Sequence, residues 1–233
     1  MMQLSPSVSG EYFCSETLHL YDSRSCDCLA TQAARGRQLR IVSSIVENEA
    51  VLVELCEDGY SAWLAFNEIP KLKPARKAYQ AIAISRSEIE LRLPEIINFA
   101  KAAMQHPNRY LWGGTTAPNY DCSGLVQAAF AASGIWLPRD SYQQAAFTQS
   151  IPVTELLAGD LLFFASEKRV NHVALYLGEG YYIHSSGVEF GRNGIGIDLL
   201  SENGDGVSQT YYRQFCGAGR VMSSFEGRRA EGR

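Results

Sequence analysis

One of the chain's six cysteines sits where a sulfur could act as a nucleophile. Cys122 follows a loop rich in Gly, Thr, Pro and Asn, Trp112 to Tyr120. It opens a helical pattern in which Leu125, Val126, Ala129 and Phe130 form the buried stripe. Asp121 is a good N-cap and Gly134 a good C′ residue for that helix. The positive end of a helix dipole favours a thiolate. Such a position can bring a cysteine pKa from about 8.5 down to roughly 3.5–7.5, most of all beside an imidazolium. The flanking Gly113-Gly114 and Ser123-Gly124 keep side-chain bulk away from the sulfur. Position alone also fits a small buried thiol that packs a helix start.

The base for such a thiol would come from the histidines: His19, His106, His172 and His184. His172 lies in a predicted strand, Val170 to Leu177, where His172, Ala174 and Tyr176 share one face and Val173, Leu175 and Leu177 the other. His184 lies in the next, Tyr181 to Ser185, reached through Gly178-Glu179-Gly180. A two-residue loop would put His184 opposite Leu175, on the wrong face. A three-residue loop puts it opposite Ala174, on the His172 face, with Gly180 in the left-handed region. The diagonal is then about 7–8 Å, within reach of two imidazoles. His184 could then fix the tautomer of His172, and Cys122, His172 and His184 would form a nucleophile, a base and an orienting group. A zinc site is the weaker reading, since no carboxylate stands at a clear ligand spacing from these three.

The elements around these residues divide the chain. Residues 10 to about 70 are β-rich: Leu39 to Val42, Val51 to Leu55 and Trp63 to Phe66 are short apolar segments, bounded by turn material such as Glu47-Asn48-Glu49 and Glu57-Asp58-Gly59. They suggest a small barrel. Pro70 to Lys77 reads as a linker. A helix follows: Pro94 suits a first helical turn, and after it Ile96, Ile97, Ala100, Ala103 and Met104 repeat at helical spacing. From Asp160 the pattern turns to strands, and residues 223–233 are expected to be a mobile tail. The fold class is therefore α+β, with boundaries at 1–75 for the barrel, 76–90 for the linker and helix start, 91–222 for the second domain and 223–233 for the tail.

The 233 residues carry 21 Lys+Arg and 25 Asp+Glu, a net charge of −4, which speaks against a nucleic-acid binder with a broad basic face. The longest apolar runs are five residues, as in Leu161 to Ala165, whereas a membrane span needs about 20. The N-terminal MMQLSPSVSGEYFC has no basic or apolar leader pattern, so a cytoplasmic product with reduced thiols is expected. Cys14, Cys26, Cys28 and Cys56 match no common zinc spacing, and no metal or cofactor is expected.

Tyr110-Leu-Trp-Gly-Gly-Thr, Asp121-Cys122-Ser123-Gly124-Leu125-Val126 and Leu137-Pro138-Arg139-Asp140-Ser141-Tyr142-Gln143-Gln144 resemble the NlpC/P60 family of papain-like cysteine peptidases. Ala158 to Phe164, Asn171 to Gly178 and Ile183-His184-Ser185-Ser186 continue the match, in order, over roughly residues 90–220. Asp58-Gly59-Tyr60-Ser61-Ala62-Trp63-Leu64 more weakly resembles a bacterial SH3 (SH3b) barrel.

The resemblance implies a papain-like domain with helices packed on an antiparallel sheet. It also implies hydrolysis of the γ-D-glutamyl–diamino acid bond of murein peptides by Cys122, His172 and His184. The order of domains resembles murein-peptide recycling enzymes that need a free N-terminal L-alanine, with Tyr60 reaching the cleft. Asp121, Ser123, Asp140 and Ser141 fall on the substrate side, and Asp140 could bind the ammonium. Plainer roles compete: Tyr60 as a barrel aromatic, Asp121 and Asp140 as helix caps, Ser141 in a local backbone bond, Trp112 as core. The expected partner is a murein-derived peptide, with no nucleic acid or membrane, and the expected state a monomer. Two other functions stay open: a wall-binding SH3b module with an inactive partner domain, and an amidase or transferase.

Overall fold

The structure, a computed structural model, describes residues 7–42 and 50–227. The turn expected at Glu47-Asn48-Glu49 lies outside the described residues. Short segments with alternating burial build the first module: β1 (Glu11–Cys14), β2 (Leu18–Tyr21), β3 (Leu29–Ala33), β4 (Gln38–Ile41), β5 (Ala50–Leu55), β6 (Ser61–Ala65) and β7 (Leu72–Pro74). They pair antiparallel in the order β3-β2-β6-β5-β4-β1-β7. Leu18, Leu20, Leu39, Val53, Leu55 and Leu64 bury one shared face. No ladder joins β3 to β7 among the described residues, so the expected barrel is an open sheet around a single core.

Helix α1 (Arg86–Met104) begins eight residues before Pro94. A capping box explains the earlier start: the Ser85 N–H and hydroxyl donate to Glu88 Oε2 at 2.8 and 2.6 Å, satisfying the helix start reciprocally. Pro94 is tolerated inside the helix, where it forgoes one backbone bond. Ile89, Ile96 and Ala100 form the buried face.

The second module continues with β8 (Thr115–Thr116), β9 (Asn119–Tyr120), α2 (Cys122–Ala132), α3 (Ser141–Phe147), β10 (Gln149–Ile151), β11 (Leu161–Phe164), β12 (His172–Gly178), β13 (Tyr181–Ser186), β14 (Gly194–Leu199), α4 (Gly206–Gln214) and β15 (Phe215–Arg220). β10 to β15 form one antiparallel sheet, ordered β10-β15-β11-β12-β13-β14. Alternation splits its residues between two cores. Val173, Leu175 and Ile183 face α1 and α2; Ala174, Tyr176, Tyr182 and Phe164 pack with Tyr211 of α4. No described helix is long and apolar enough to cross a membrane.

The start of the expected tail is docked. Trp136 N–H donates to Ser224 Oγ at 2.9 Å, Phe225 N–H donates to Trp136 O at 2.8 Å, and Phe225 meets Phe147 edge-on. Aromatic packing without periodicity holds it, which a search for helical or strand repeats passes over; residues 228–233 lie outside the described residues.

Candidate active site

Cys122 is the first residue of α2 and is buried. Its N-cap, Asp121, accepts from Gly124 N–H at 2.6 Å and from Gly113 N–H at 2.9 Å, locking the preceding loop to the helix. Arg139 donates to both Asp121 oxygens, at 3.2 and 2.5 Å, and to Ser123 Oγ at 2.9 Å. The Val173 and Ser123 N–H groups donate to the sulfur, so the helix start meets β12 one residue from His172. Burial, followed by the Asp121 charge, nevertheless pushes the Cys122 thiol up to about 12, against the pull of those two N–H groups and Arg139. The expected lowering by the helix dipole is thus overturned: desolvation outweighs it, and the resting group is a thiol.

The two histidines meet. β12 and β13 pair with Leu175 opposite Ile183 and Tyr176 opposite Tyr182, a register that sets His184 on the His172 face. The turn differs from the three-residue loop. Gly178 pairs with Tyr181, a bulge falls between Tyr176 and Gly178, and Glu179 and Gly180 both take positive φ, 53° and 82°. A two-residue turn plus one bulged residue shifts the register by the same single step. His172 Nε2 lies 2.7 Å from His184 Nδ1, and His184 Nε2 lies 2.8 Å from Asp198 Oδ2. Arg192 holds Asp198 from the far side, its Nε donating to Oδ2 at 3.1 Å and its Nη2 to Oδ1. Tyr211 lies against both rings, with centroids 4.5 Å from His172 and 4.7 Å from His184. Burial, then the neighbouring His184 charge, holds His172 well below the usual histidine range. Burial also lowers His184, although Asp198 partly restores it.

A cleft of about 400 Å³ opens above the sulfur, between the two modules. Tyr60, Tyr110, Trp112, Asp121, Cys122, Ser123, Asp140, Ser141, Tyr142 and Arg169 are among its lining. Tyr60 and Asp140 lie close across the junction: burial and then the Asp140 charge push the Tyr60 hydroxyl up to about 12. Burial raises Asp140 despite the opposing pull of Arg139 and a hydrogen bond from Tyr142. Asp140 also caps α3, its N–H donating to Gln143 Oε1 at 3.2 Å. Ser141 follows as the buried first residue of that helix. Asp121 and Ser123 border the cleft, but the Asp121 oxygens and the Ser123 hydroxyl are spent on the loop, on each other and on Arg139. Their geometry is that of a scaffold beneath the cleft. Trp112 is 71% exposed on the cleft wall rather than in the core. A second cavity, about 730 Å³, has no cysteine or histidine in its lining.

Residues 107–214 match the model of the NlpC/P60 family, and residues 20–69 match that of the bacterial dipeptidyl-peptidase Sh3 domain. The chain thus carries an NlpC/P60 domain preceded by a bacterial SH3 domain. It is 36% identical over 118 residues to the gamma-D-glutamyl-L-lysine dipeptidyl-peptidase of Bacillus subtilis, covering 49% of this chain and 36% of that protein. To the Bacillus cereus protein of the same name it is 30% identical over 174 residues, 72% of this chain and 45% of the relative. The chain thus spans less than half the length of these two relatives. An NlpC/P60 family protein from Bacillus cereus superposes with a TM-score of 0.50 at 26% identity, covering 93% of this chain and 65% of that one. NlpC1 from Trichomonas vaginalis shares the fold at a TM-score of 0.52 and 16% identity, covering 97% and 99%.

Asp198 and Arg192 are the site residues that sequence reasoning missed. A signal existed: in Gly194 to Leu199 an aspartate interrupts an alternation of Gly and Ile on the strand next to β13. Arg139 stood inside a quoted motif but carried no role. It bridges the modules, donating to Thr31 Oγ1 at 2.8 Å as well as to Asp121. Among the described residues, no group of three or more His, Cys, Asp or Glu side chains is gathered as a metal site.

Proposed function

We propose that this NlpC/P60 protein cleaves the γ-D-glutamyl–diamino acid bond of murein peptides that carry a free N-terminal L-alanine. The observation that carries the reading is the shared cleft. Cys122 opens into the same space as Tyr60 from the first module and Asp140 from the second, so both modules wall one site. The name of both Bacillus relatives, gamma-D-glutamyl-L-lysine dipeptidyl-peptidase, supports the bond type.

The resting pair is neutral, a thiol and an imidazole. As the sulfur attacks the γ-carbonyl carbon of D-glutamate, His172 takes the thiol proton, acting as general base. The Cys122 N–H, in the first turn of α2 without an intrahelical partner, stabilises the oxyanion. His172 then gives its proton to the leaving α-amine, the C–N bond breaks and a thioester remains. Water then attacks the thioester carbon as His172 takes one of its protons; the C–S bond breaks, the acid leaves, and His172 returns that proton to the sulfur to restore the thiol. The half-buried Asp140 carboxylate, beside Tyr60, receives the substrate ammonium.

Mass spectrometry of products from L-Ala-γ-D-Glu-diamino acid, its N-acetyl form and intact murein tests the reading. The free peptide should yield L-Ala-D-Glu and the diamino acid, the acetylated one nothing, and Cys122→Ala should bind without releasing product. Equal rates on free and blocked peptides would refute the ammonium gate; turnover by Cys122→Ala would refute the nucleophile.

A further inference from the structure

The His172–His184 contact continues into a chain of charge and hydrogen bonds, and the order of donors along it can be worked out from its far end. Arg192 carries only donors, and it engages both oxygens of Asp198. Asp198 is almost wholly buried, and the Arg192 guanidinium on both of its oxygens retains it there as a carboxylate that accepts on both. His184 Nε2, 2.8 Å from Asp198 Oδ2, must therefore be the donor. A neutral His184 then has a bare Nδ1, an acceptor only. His172 Nε2, 2.7 Å away, must donate to it. The one ring lone pair left on the two imidazoles is at His172 Nδ1.

From this we infer that Asp198, clamped by Arg192, is a positioning residue that sets the tautomers of both histidines and so places the proton-accepting nitrogen at His172 Nδ1. The inference rests on the proposed Cys122–His172 chemistry for its consequence, but the tautomers can be read without it. With the opposite order, His184 Nδ1–H would donate to His172 Nε2. The His172 proton would then sit on Nδ1, where no thiol proton could be taken. Once His172 is charged, its Nε2–H still donates to His184, and the Asp198 carboxylate faces the new charge through that ring.

The surroundings are shaped for the clamp. Gly196 pairs with His184 across β13 and β14, and a Cβ there would come within 2.7 Å of Arg192 Cδ and Nε. The missing side chain lets the arginine lie over the strand to reach Asp198. Arg192 Nη2 also lies 3.8 Å from Asp205 Oδ2, and Asp205 caps α4 by accepting from Ser208 N–H at 2.9 Å. The same helix carries Tyr211, which packs on both imidazoles.

Imidazole 15N chemical shifts of the full chain near neutral pH test this directly. The wild type should show protonated Nε2 and bare Nδ1 on both His172 and His184. Asp198→Ala should give mixed tautomers and lower kcat about 10- to 100-fold with little change in KM, and Asp198→Glu should recover part of both. Arg192→Lys, which keeps the charge but loses the fork, should give intermediate shifts and guards against a folding failure in Asp198→Ala. A wild-type His184 protonated on Nδ1 overturns the inference. So does an Asp198→Ala protein that keeps both the shifts and kcat. Correct tautomers in a protein that cleaves no peptide would instead sink the proposed function and leave this inference standing.

Discussion

Two arginine–aspartate pairs stand behind the reacting side chains, and they hold different things together. Asp121–Arg139 lies beneath Cys122, with Arg139 only 2% exposed, and Arg139 extends to Thr31 in the first module. Asp198–Arg192 lies behind His184, joins positions six residues apart and leaves the arginine side chain 28% exposed. The first is a long-range clamp on which the junction depends. The second is a local turn that touches the His172–His184 pair through one hydrogen bond. Chemically similar pairs therefore divide the labour: one should govern stability, the other rate.

The widest gap between them is expected in unfolding. Arg139→Ala leaves Asp121 buried without its partner, which costs about 3–5 kcal/mol. Arg192→Ala should cost less than half of that, because His184 still donates to Asp198 and removal of the part-exposed arginine opens a path for water to the carboxylate. Urea unfolding of both variants checks this, and equal losses would show that the two pairs are not distinct in kind.

A smaller effect should separate the clamp from the cleft-facing acid beside it. Asp140→Asn should raise KM for the free-amine peptide about 10- to 150-fold, the loss of a charge-assisted hydrogen bond worth about 1.5–3 kcal/mol, with kcat nearly intact. Steady-state kinetics decide it; a fall in kcat alone would make Asp140 part of the α3 cap and nothing more.

The gentlest probe is pH. His172 and His184 are held below their usual value of 6.5 by burial, so between that value and their folded pKa the unfolded chain binds more protons. Stability is complete above about 6.5 and should fall as the pH drops below it, less steeply in His172→Gln. Cys122 has the opposite sign: its thiol is raised from 9.0 to about 12, so stability should fall as pH rises above about 9. Iodoacetamide labelling of Cys122 should accordingly climb with pH through the neutral range. A plateau already reached in mild acid would mean that an ion pair, not a neutral thiol, rests in the site.

The site was legible where its signals were local. A helix-start cysteine after a glycine-rich loop, and two histidines on one face of a hairpin, follow from periods of 3.6 and 2 along the chain. Even the hairpin register emerged, although the turn achieves it with a bulge that no loop-length rule could single out. Pro94 suits a first helical turn but lies inside α1, which the Ser85–Glu88 box starts at Arg86, and both signals are legitimate helix starts. Residues 223–225 carry no period at all, yet Phe225 docks on Phe147. The open sheet of the first module likewise depends on whether its two outer strands meet, which no single strand encodes.

The sequence by itself determined which side chains could react and which faces they occupy, because covalent spacing and backbone geometry fix both. Only the tertiary structure decided their state. Burial overrode the helix dipole at Cys122, since desolvation of a thiolate scales with everything packed around it. Asp198 joined His184 because β14 pairs with β13, and Arg139 joined Thr31 and Asp121 because two modules close on one cleft. Such contacts join residues that lie far apart along the chain, and chain neighbours carry no record of them.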